Sequence, residues 1–409
     1  MTLPEKLRDL HLLVGGERQA ELSKRSVYTL VYEAGARHIV GLGLPVSERA
    51  FQDGDLFAAL DMNLPEGYLF ERILAHFGKF PVTKMHLLAL MGDGAIGRVA
   101  YQVPGQPLPP VPAGIARADL LAGRRSEALF EQLVGEYLGT GSGLAGMQPK
   151  IMVPVADKAA VPGPSVIVKA EGPRYPGLRA NEWLCLSAAR HAGLPVPPAD
   201  LSADGRLLVI DRFDIRPDGS RLGFEDIAAV MQLRVRERLS SRKYIGSYED
   251  VAHAYRLVCT EPAAALRQFY EQLVLAVLLR NGDAHLKNFA VLYDDERVWP
   301  SPVYDQVTTV IYPYERPGGV ETVDRTMALK LWRGGRSGER SPARSYPARA
   351  ELEAFGRQVC GLHHPGRVID RTAEAMARAL AEPHAAIAPA LLRQMEDAWR
   401  ESLAWMRRA

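Results

Sequence analysis

Residues 139–150 read GTGSGLAGMQPK, and the segments flanking them decide between two large classes of fold. Gly141, Gly143 and Gly146 carry the spacing G-x-G-x-x-G, and GDGAIG (Gly92, Gly94, Gly97) repeats it. A dinucleotide fingerprint needs a strand before the glycines and a helix after them, because the pyrophosphate sits on the helix N-terminus. Here RSEALFEQLVGEYL (125–138), with helical periodicity, comes first, and the strand-like KIMVPV and SVIVKA follow. The second copy likewise follows the helical KMHLLALM and leads into the strand RVAYQV. That order rules out a Rossmann crossover at both places. A glycine loop opening into a strand is instead how a kinase-type fold covers ATP phosphates.

The 409 residues suffice for two or three domains. Residues 26–44 predict two strands about a glycine-containing turn, and LPEGYLFERILAHFGKF (64–80) predicts a helix. The Pro-rich PGQPLPPVPAG (104–114) is the best candidate boundary. After the glycine loop come strands, a helix at RANEWLCLSAARHAG and a strand at LLVIDRFD (207–214). From about residue 225 the pattern turns helical: EDIAAVMQL, YEDVAHAYRLV, AALRQFYEQLVLAVLLRN, RAELEAFGRQVC and DRTAEAMARALAE. A β-rich half precedes an α-rich half, without a repeat of solenoid length.

A formal charge of +2 gives no global basic field to attract nucleic acid, so such a contact would need a local patch. One candidate is KLWRGGRSGERSPARSYPARA (330–350), with Lys330, Arg333, Arg336, Arg340, Arg344 and Arg349; a solvated loop is the other reading. The three cysteines, Cys185, Cys259 and Cys360, form no C-x-x-C and read as reduced thiols. The start MTLPEKLRDL lacks a signal-peptide core, and apolar runs such as LVLAVLL are too short to span a bilayer. The expectation is a cytoplasmic protein.

RNGDAHLKNFAVLYDD (280–295) carries the chemistry. Asp283 and Asn288 are five residues apart, the spacing between the base Asp and the metal-binding Asn of a kinase catalytic loop. Seventeen residues further on, SPVYDQVTT offers Asp305 as a second metal-binding carboxylate. One carboxylate must take a hydroxyl proton while an amide oxygen and another carboxylate hold Mg²⁺, a cation that prefers hard oxygen ligands. Asn-Gly-Asp is also ordinary turn chemistry, so the loop alone leaves both readings open. Lys169 ends the strand VIVK nineteen residues beyond Lys150, where a phosphate-pairing lysine would stand; a strand-end lysine can equally be merely solvated. Glu182 on the next helix could pair with Lys169, or serve only as favourable charge near a helix start. IDRFD could be the strand joining two lobes, or a buried strand with charged ends. His285 lies inside the loop and could help position phosphates.

In this order these residues resemble the HipA-type serine/threonine kinases, toxins of bacterial type II toxin–antitoxin systems. The resemblance runs through DMNLPEGYLFERIL, LLALMGDGAIGRVAY, GLAGMQPK, VIVKAE, NEWLCLSAARHAGLPVP, IDRFD, RKY (242–244), NGDAHLKNFAVLY and PVYDQVTT, nearly the whole chain. It implies an α+β, two-lobed kinase-like fold: an N-terminal subdomain over 1–112, an α/β lobe with the phosphate loop over 113–235, and an all-α catalytic domain over 236–409. It implies ATP and Mg²⁺ as cofactors, Asp283 as catalytic base, and Asn288 and Asp305 as metal ligands. The phosphate-covering loop would be Ala145, Gly146, Met147, Gln148, Pro149 and Lys150. Lys169, Asp211, Arg212, Phe213, His285, Leu286, Lys287, Asn288, Tyr304 and Asp305 would complete the nucleotide site, with Asp211 to Phe213 along the adenine. Proteins of this kind phosphorylate a serine of an aminoacyl-tRNA synthetase, often glutamyl-tRNA synthetase, and promote persistence. A small helix-turn-helix antitoxin of the HipB type neutralises them and tethers them to DNA. Two positions depart from the family pattern. The autophosphorylation serine is replaced by Gly143, leaving Ser142 next to it as the substitute, and Asp211 stands where Glu is familiar.

Two rivals share part of this chemistry. A small-molecule phosphotransferase uses the same Asp-x-x-x-x-Asn logic, and a nucleotide-binding corepressor would act only through a DNA-binding partner.

Overall fold

A computed structural model of the chain describes all residues except 1–3, 109–113, 125, 141–149, 157–161, 173–174, 317–318, 335–342 and 409. Strands β1 (Asp9–Val14), β2 (Glu17–Lys24), β3 (Tyr28–Tyr32) and β4 (Phe51–Asp53) begin an antiparallel sheet. Helices α1 (Ala58–Asp61), α2 (Gly67–Phe77) and α3 (Lys84–Met91) follow, and β5 (Val99–Gln102) returns to complete the order β4-β3-β2-β1-β5. Only the first of the two strands expected over 26–44 forms. Beyond Tyr32 the chain turns at Gly35 (φ 85°), and the Tyr32 hydroxyl takes over the hydrogen bonding that a ladder would supply. It accepts from the Val40 amide at 3.0 Å and donates to the Leu44 carbonyl.

Next come α4 (Arg117–Leu121), α5 (Ser126–Thr140), β6 (Lys150–Ala156), β7 (Pro162–Ala170), α6 (Leu178–His191), β8 (Ala199–Leu201) and β9 (Leu207–Asp211). The strands form an antiparallel sheet ordered β6-β7-β9-β8. Its central strands are apolar on both faces because both faces are covered. Val166, Val168, Leu207 and Val209 join the core of the N-terminal sheet, while Ile167, Leu208 and Ile210 join the core shared with α6 and the helical half. Side chains alternate along a strand, so Lys169 shares the Ile167 face and is directed at α6 and the helical half.

That half contains β10 (Gly223–Asp226), α7 (Ile227–Val230), α8 (Tyr248–Val258), α9 (Pro262–Leu278), β11 (Ala290–Tyr293), β12 (Val298–Pro300), β13 (Pro313–Arg316), β14 (Val320–Val323), α10 (Arg349–Gln358), α11 (Pro365–Ala381) and α12 (Pro389–Arg408). The two-lobed α+β class holds. Within the helical half sit two small sheets, β10-β11-β12 and the β13-β14 hairpin, in stretches too short for their periodicity to register. EDIAAVMQL is divided: its acidic start pairs with β11, and Asp226 then caps the short α7 by accepting from the Ala229 amide at 2.8 Å. Among the described residues no helix is long and apolar enough to cross a membrane.

The twin glycine stretch is a helix-to-strand turn. Gly92 ends α3, and the amide of Gly97 donates to Asp214 Oδ2 at 2.7 Å. Arg212 Nη2 donates to the Ala95 carbonyl at 2.9 Å, and Arg221 grips Asp93. This turn therefore fastens the N-terminal sheet to the segment following β9.

Candidate active site

The Lys169 ammonium is shared between Glu182 on α6 and Asp305 on the loop after β12. Lys169 is 7% and Glu182 2% exposed at the side chain, so the pair is withdrawn from water. Burial pushes the lysine's pKa down, but Asp305 and then Glu182 outweigh that and hold it above the ordinary value. Arg179, one turn before Glu182, gives the same carboxylate a second cation, Nη1 to Oε2 at 3.0 Å. Asp305 has φ 50°, in the left-handed region, which aspartate enters more readily than most residues.

The loop after α9 supplies the other half. Asn281 caps the turn by accepting the Asp283 amide at 3.0 Å, and the Gly282 amide donates to Thr309 Oγ1 at 2.7 Å. A Cβ on Gly282 would sit 2.7 Å from the Thr326 carbonyl, so glycine is required by close backbone approach. Asn-Gly-Asp is thus a turn, and one that presents Asp283. The Asp283 carboxylate is half exposed; Oδ1 accepts from the Tyr244 hydroxyl at 2.7 Å and lies 3.9 Å from His285 Nε2. Burial lowers the His285 pKa to about 4, so its ring is neutral at neutral pH.

Asn288 is buried, and its Nδ2 donates to the Asp305 carbonyl at 3.3 Å, joining the two loops. Among the described residues its Oδ1 is buried without a hydrogen-bond partner, as is His285 Nδ1. Such an orphaned amide oxygen beside the Asp305 loop is the unsatisfied hard donor that a bound Mg²⁺ would occupy, so these residues fit the cation. Among the described residues no cluster of three or more His, Cys, Asp or Glu gathers, and the expected ligand pair needs none.

The remaining positions fall as follows. Leu286 is buried in the main core. Tyr304 donates to the Lys287 carbonyl at 2.7 Å and stacks on Phe213 with ring centres 5.8 Å apart, which brings the segment after β9 close to the loop after α9. Arg212 is locked to Asp214 (Nε to Oδ1 2.9 Å), and the Asp211 carboxylate receives Arg117 at 2.5 Å, so both side chains are committed to structural ion pairs. Lys287 extends to Glu66 of the N-terminal subdomain, Nζ to Oε1 at 2.8 Å. Ser142 and Ala145–Pro149 lie outside the described residues; Lys150 opens β6 opposite Lys169. In the basic stretch, Arg333 pairs with Asp250, Arg349 with Asp370, and Arg344 reaches the Tyr244 carbonyl at 2.6 Å, while Arg336 and Arg340 are outside the described residues. All three cysteines are free and buried.

Sequence reasoning missed Tyr244, Arg179 and Glu66. Arg179 was readable at i, i+3 from Glu182. Tyr244 stands in the quoted RKY, but nothing local ties it to a residue 39 positions later, and Glu66 is 221 positions from Lys287.

The family model of the HipA-like C-terminal domain matches residues 142–386, and that of the HipA N-terminal domain matches residues 10–102. Two relatives come from Sinorhizobium fredii. "Putative kinase Y4mE" is 29% identical over 297 residues, covering 67% of this chain and 64% of the relative. "Putative kinase Y4dM" is 33% identical over 194 residues, covering 41% and 45%. The matched part thus spans less than two thirds of either relative. The HipA chain of the Shewanella oneidensis complex of HipA, HipB and operator DNA superposes with a TM-score of 0.72 at 19% identity, over 98% of this chain and 97% of that one. That likeness is one of fold. With both family domains in order and the first spanning well over half its length, the chain belongs to the HipA family.

Proposed function

We propose that this chain is an ATP- and Mg²⁺-dependent serine/threonine protein kinase, the toxin of a HipA/HipB-like pair, whose substrate is an aminoacyl-tRNA synthetase such as glutamyl-tRNA synthetase. The carrying observation is the buried Lys169 shared by Glu182 and Asp305, together with an Asn288 oxygen that has no partner among the described residues. Magnesium-bound ATP supplies the transferable phosphoryl group. Lys169, held by Glu182, offers its ammonium to phosphate oxygens; Asn288 and Asp305 hold the cation; Asp283 takes the proton of the acceptor hydroxyl. His285 stays neutral and lines the site, Phe213 and Tyr304 form an aromatic wall, and residues 145–150 cover the phosphates. The backbone of Asp211 to Phe213 lines the adenine, since the side chains of Asp211 and Arg212 are otherwise engaged. The working division is 1–112, 113–235 and 236–409, the protein acts in the cytoplasm, and Ser142 is the site of any autophosphorylation. A helix-turn-helix antitoxin neutralises the kinase and brings it to DNA. Incubation with radiolabelled ATP and a panel of synthetases tests this. Label on one synthetase, lost in Asp283→Ala, supports the reading; label in a metabolite, or label unaffected by Asp283→Ala, overturns it.

A further inference from the structure

We propose that Tyr244 is the positioning residue of the catalytic base: its hydroxyl ties down Oδ1 of Asp283 and so reserves Oδ2 for the acceptor hydroxyl. The inference rests on the phosphotransfer reading of the same site. Tyr244 ends a short 3-10 helix, Glu237–Tyr244, and its hydroxyl donates to Asp283 Oδ1 at 2.7 Å. Among the described residues, no donor hydrogen-bonds to Oδ2, and about half of the side chain faces solvent. One oxygen is therefore held and the other presented. A carboxylate free to rotate would offer either oxygen in many directions, whereas a general base must sit within hydrogen-bond reach of the proton it takes.

The brace is itself braced. The His285 ring meets the Tyr244 ring edge-on with centroids 5.3 Å apart, and the Arg344 guanidinium lies 6.0 Å from that ring while donating to the Tyr244 carbonyl at 2.6 Å. Lys243 lies 5.1 Å from the ring centre. Burial and then the neighbouring carboxylate push the phenol's pKa far above its ordinary value. The phenol therefore keeps its proton throughout and only donates. In the reaction the acceptor hydroxyl's proton passes to Oδ2, and the Tyr244 proton stays where it is. Tyr244 touches neither substrate nor nucleotide in this account; it acts through Asp283.

Tyr244→Phe in the full chain keeps the ring and removes only the donor, so it tests the point without emptying the corner. Phosphate transfer to the labelled protein substrate is measured for wild type and variant, with KM for ATP and the thermal midpoint in parallel. The expected result is kcat lower by about tenfold or more, with KM for ATP and the midpoint unchanged. A structural role would instead lower the midpoint and weaken ATP together, and that outcome overturns the inference. So does an unchanged kcat. An inactive wild type fails the kinase reading itself, a result distinct from an active wild type that is indifferent to Tyr244→Phe.

Discussion

Removing Glu182 should destabilise the protein more than removing Lys169, although the two form one ion pair. In Glu182→Ala, two cations stay behind: Arg179, 1% exposed at the side chain, loses its 3.0 Å carboxylate, and Lys169 keeps only Asp305. Breaking a buried ion pair by removing one partner costs about 3–5 kcal/mol, and this variant belongs in that range. In Lys169→Met, Glu182 keeps Arg179, and Asp305, which loses the lysine, is 33% exposed so that water screens it. Methionine also fills the space of the lysine stem, so the cost falls to about 1–2 kcal/mol. Urea unfolding followed by tryptophan fluorescence measures both, because Trp183 adjoins Glu182 on α6 and reports locally. The expected gap is about 1 kcal/mol or more in favour of Lys169→Met. A Lys169→Met variant as unstable as Glu182→Ala would refute the charge balance drawn here.

Other outcomes follow from particular contacts. Gly282→Ala places a Cβ 2.7 Å from the Thr326 carbonyl and should displace Asp283, lowering phosphate transfer by about tenfold or more while the fold persists by circular dichroism. Asp214→Ala strips Arg212 and the Gly97 amide of their shared partner; denaturant midpoints should show a loss of about 3–5 kcal/mol, with the N-terminal subdomain loosening first in hydrogen exchange. Burial raises the Glu225 pKa to about 7 from 4.5. The folded state thus holds this proton more tightly than the unfolded chain, so its contribution to stability is full below pH 4.5 and falls as pH rises towards 7. Glu225→Gln should therefore be nearly neutral at low pH and stabilising by on the order of 2 kcal/mol at pH 8, as read from unfolding curves at the two pH values.

The sequence made some of the site legible because its key residues lie in local patterns. Asp283 and Asn288 share one loop, Lys169 stands near the end of an apolar strand, and Glu182 lies in the helix that follows it, so their order along the chain was readable. The two-lobed α+β class was visible for the same reason, in the change from alternating to helical periodicity. What spacing could not supply was the partner of each charged group. Arg212 and Asp211 stand in a motif that suggests ligand contact, yet Asp214 and Arg117 hold their side chains. Lys287, in the loop after α9, turns to Glu66, a residue of a different subdomain. The Asp211–Arg117 and Lys287–Glu66 pairs depend on how the sheets and the helical half pack together, and no local signal encodes them. The short strands β11 and β12 escaped notice because three or four residues cannot display a period.

The most direct test is mass-spectrometric mapping of phosphosites in cells expressing the wild-type chain or Asp283→Ala. The account predicts a new phosphoserine on an aminoacyl-tRNA synthetase with the wild type, accompanied by growth arrest, and neither with the variant. Arrest without any new phosphosite, or the same phosphosites with Asp283→Ala, would contradict it.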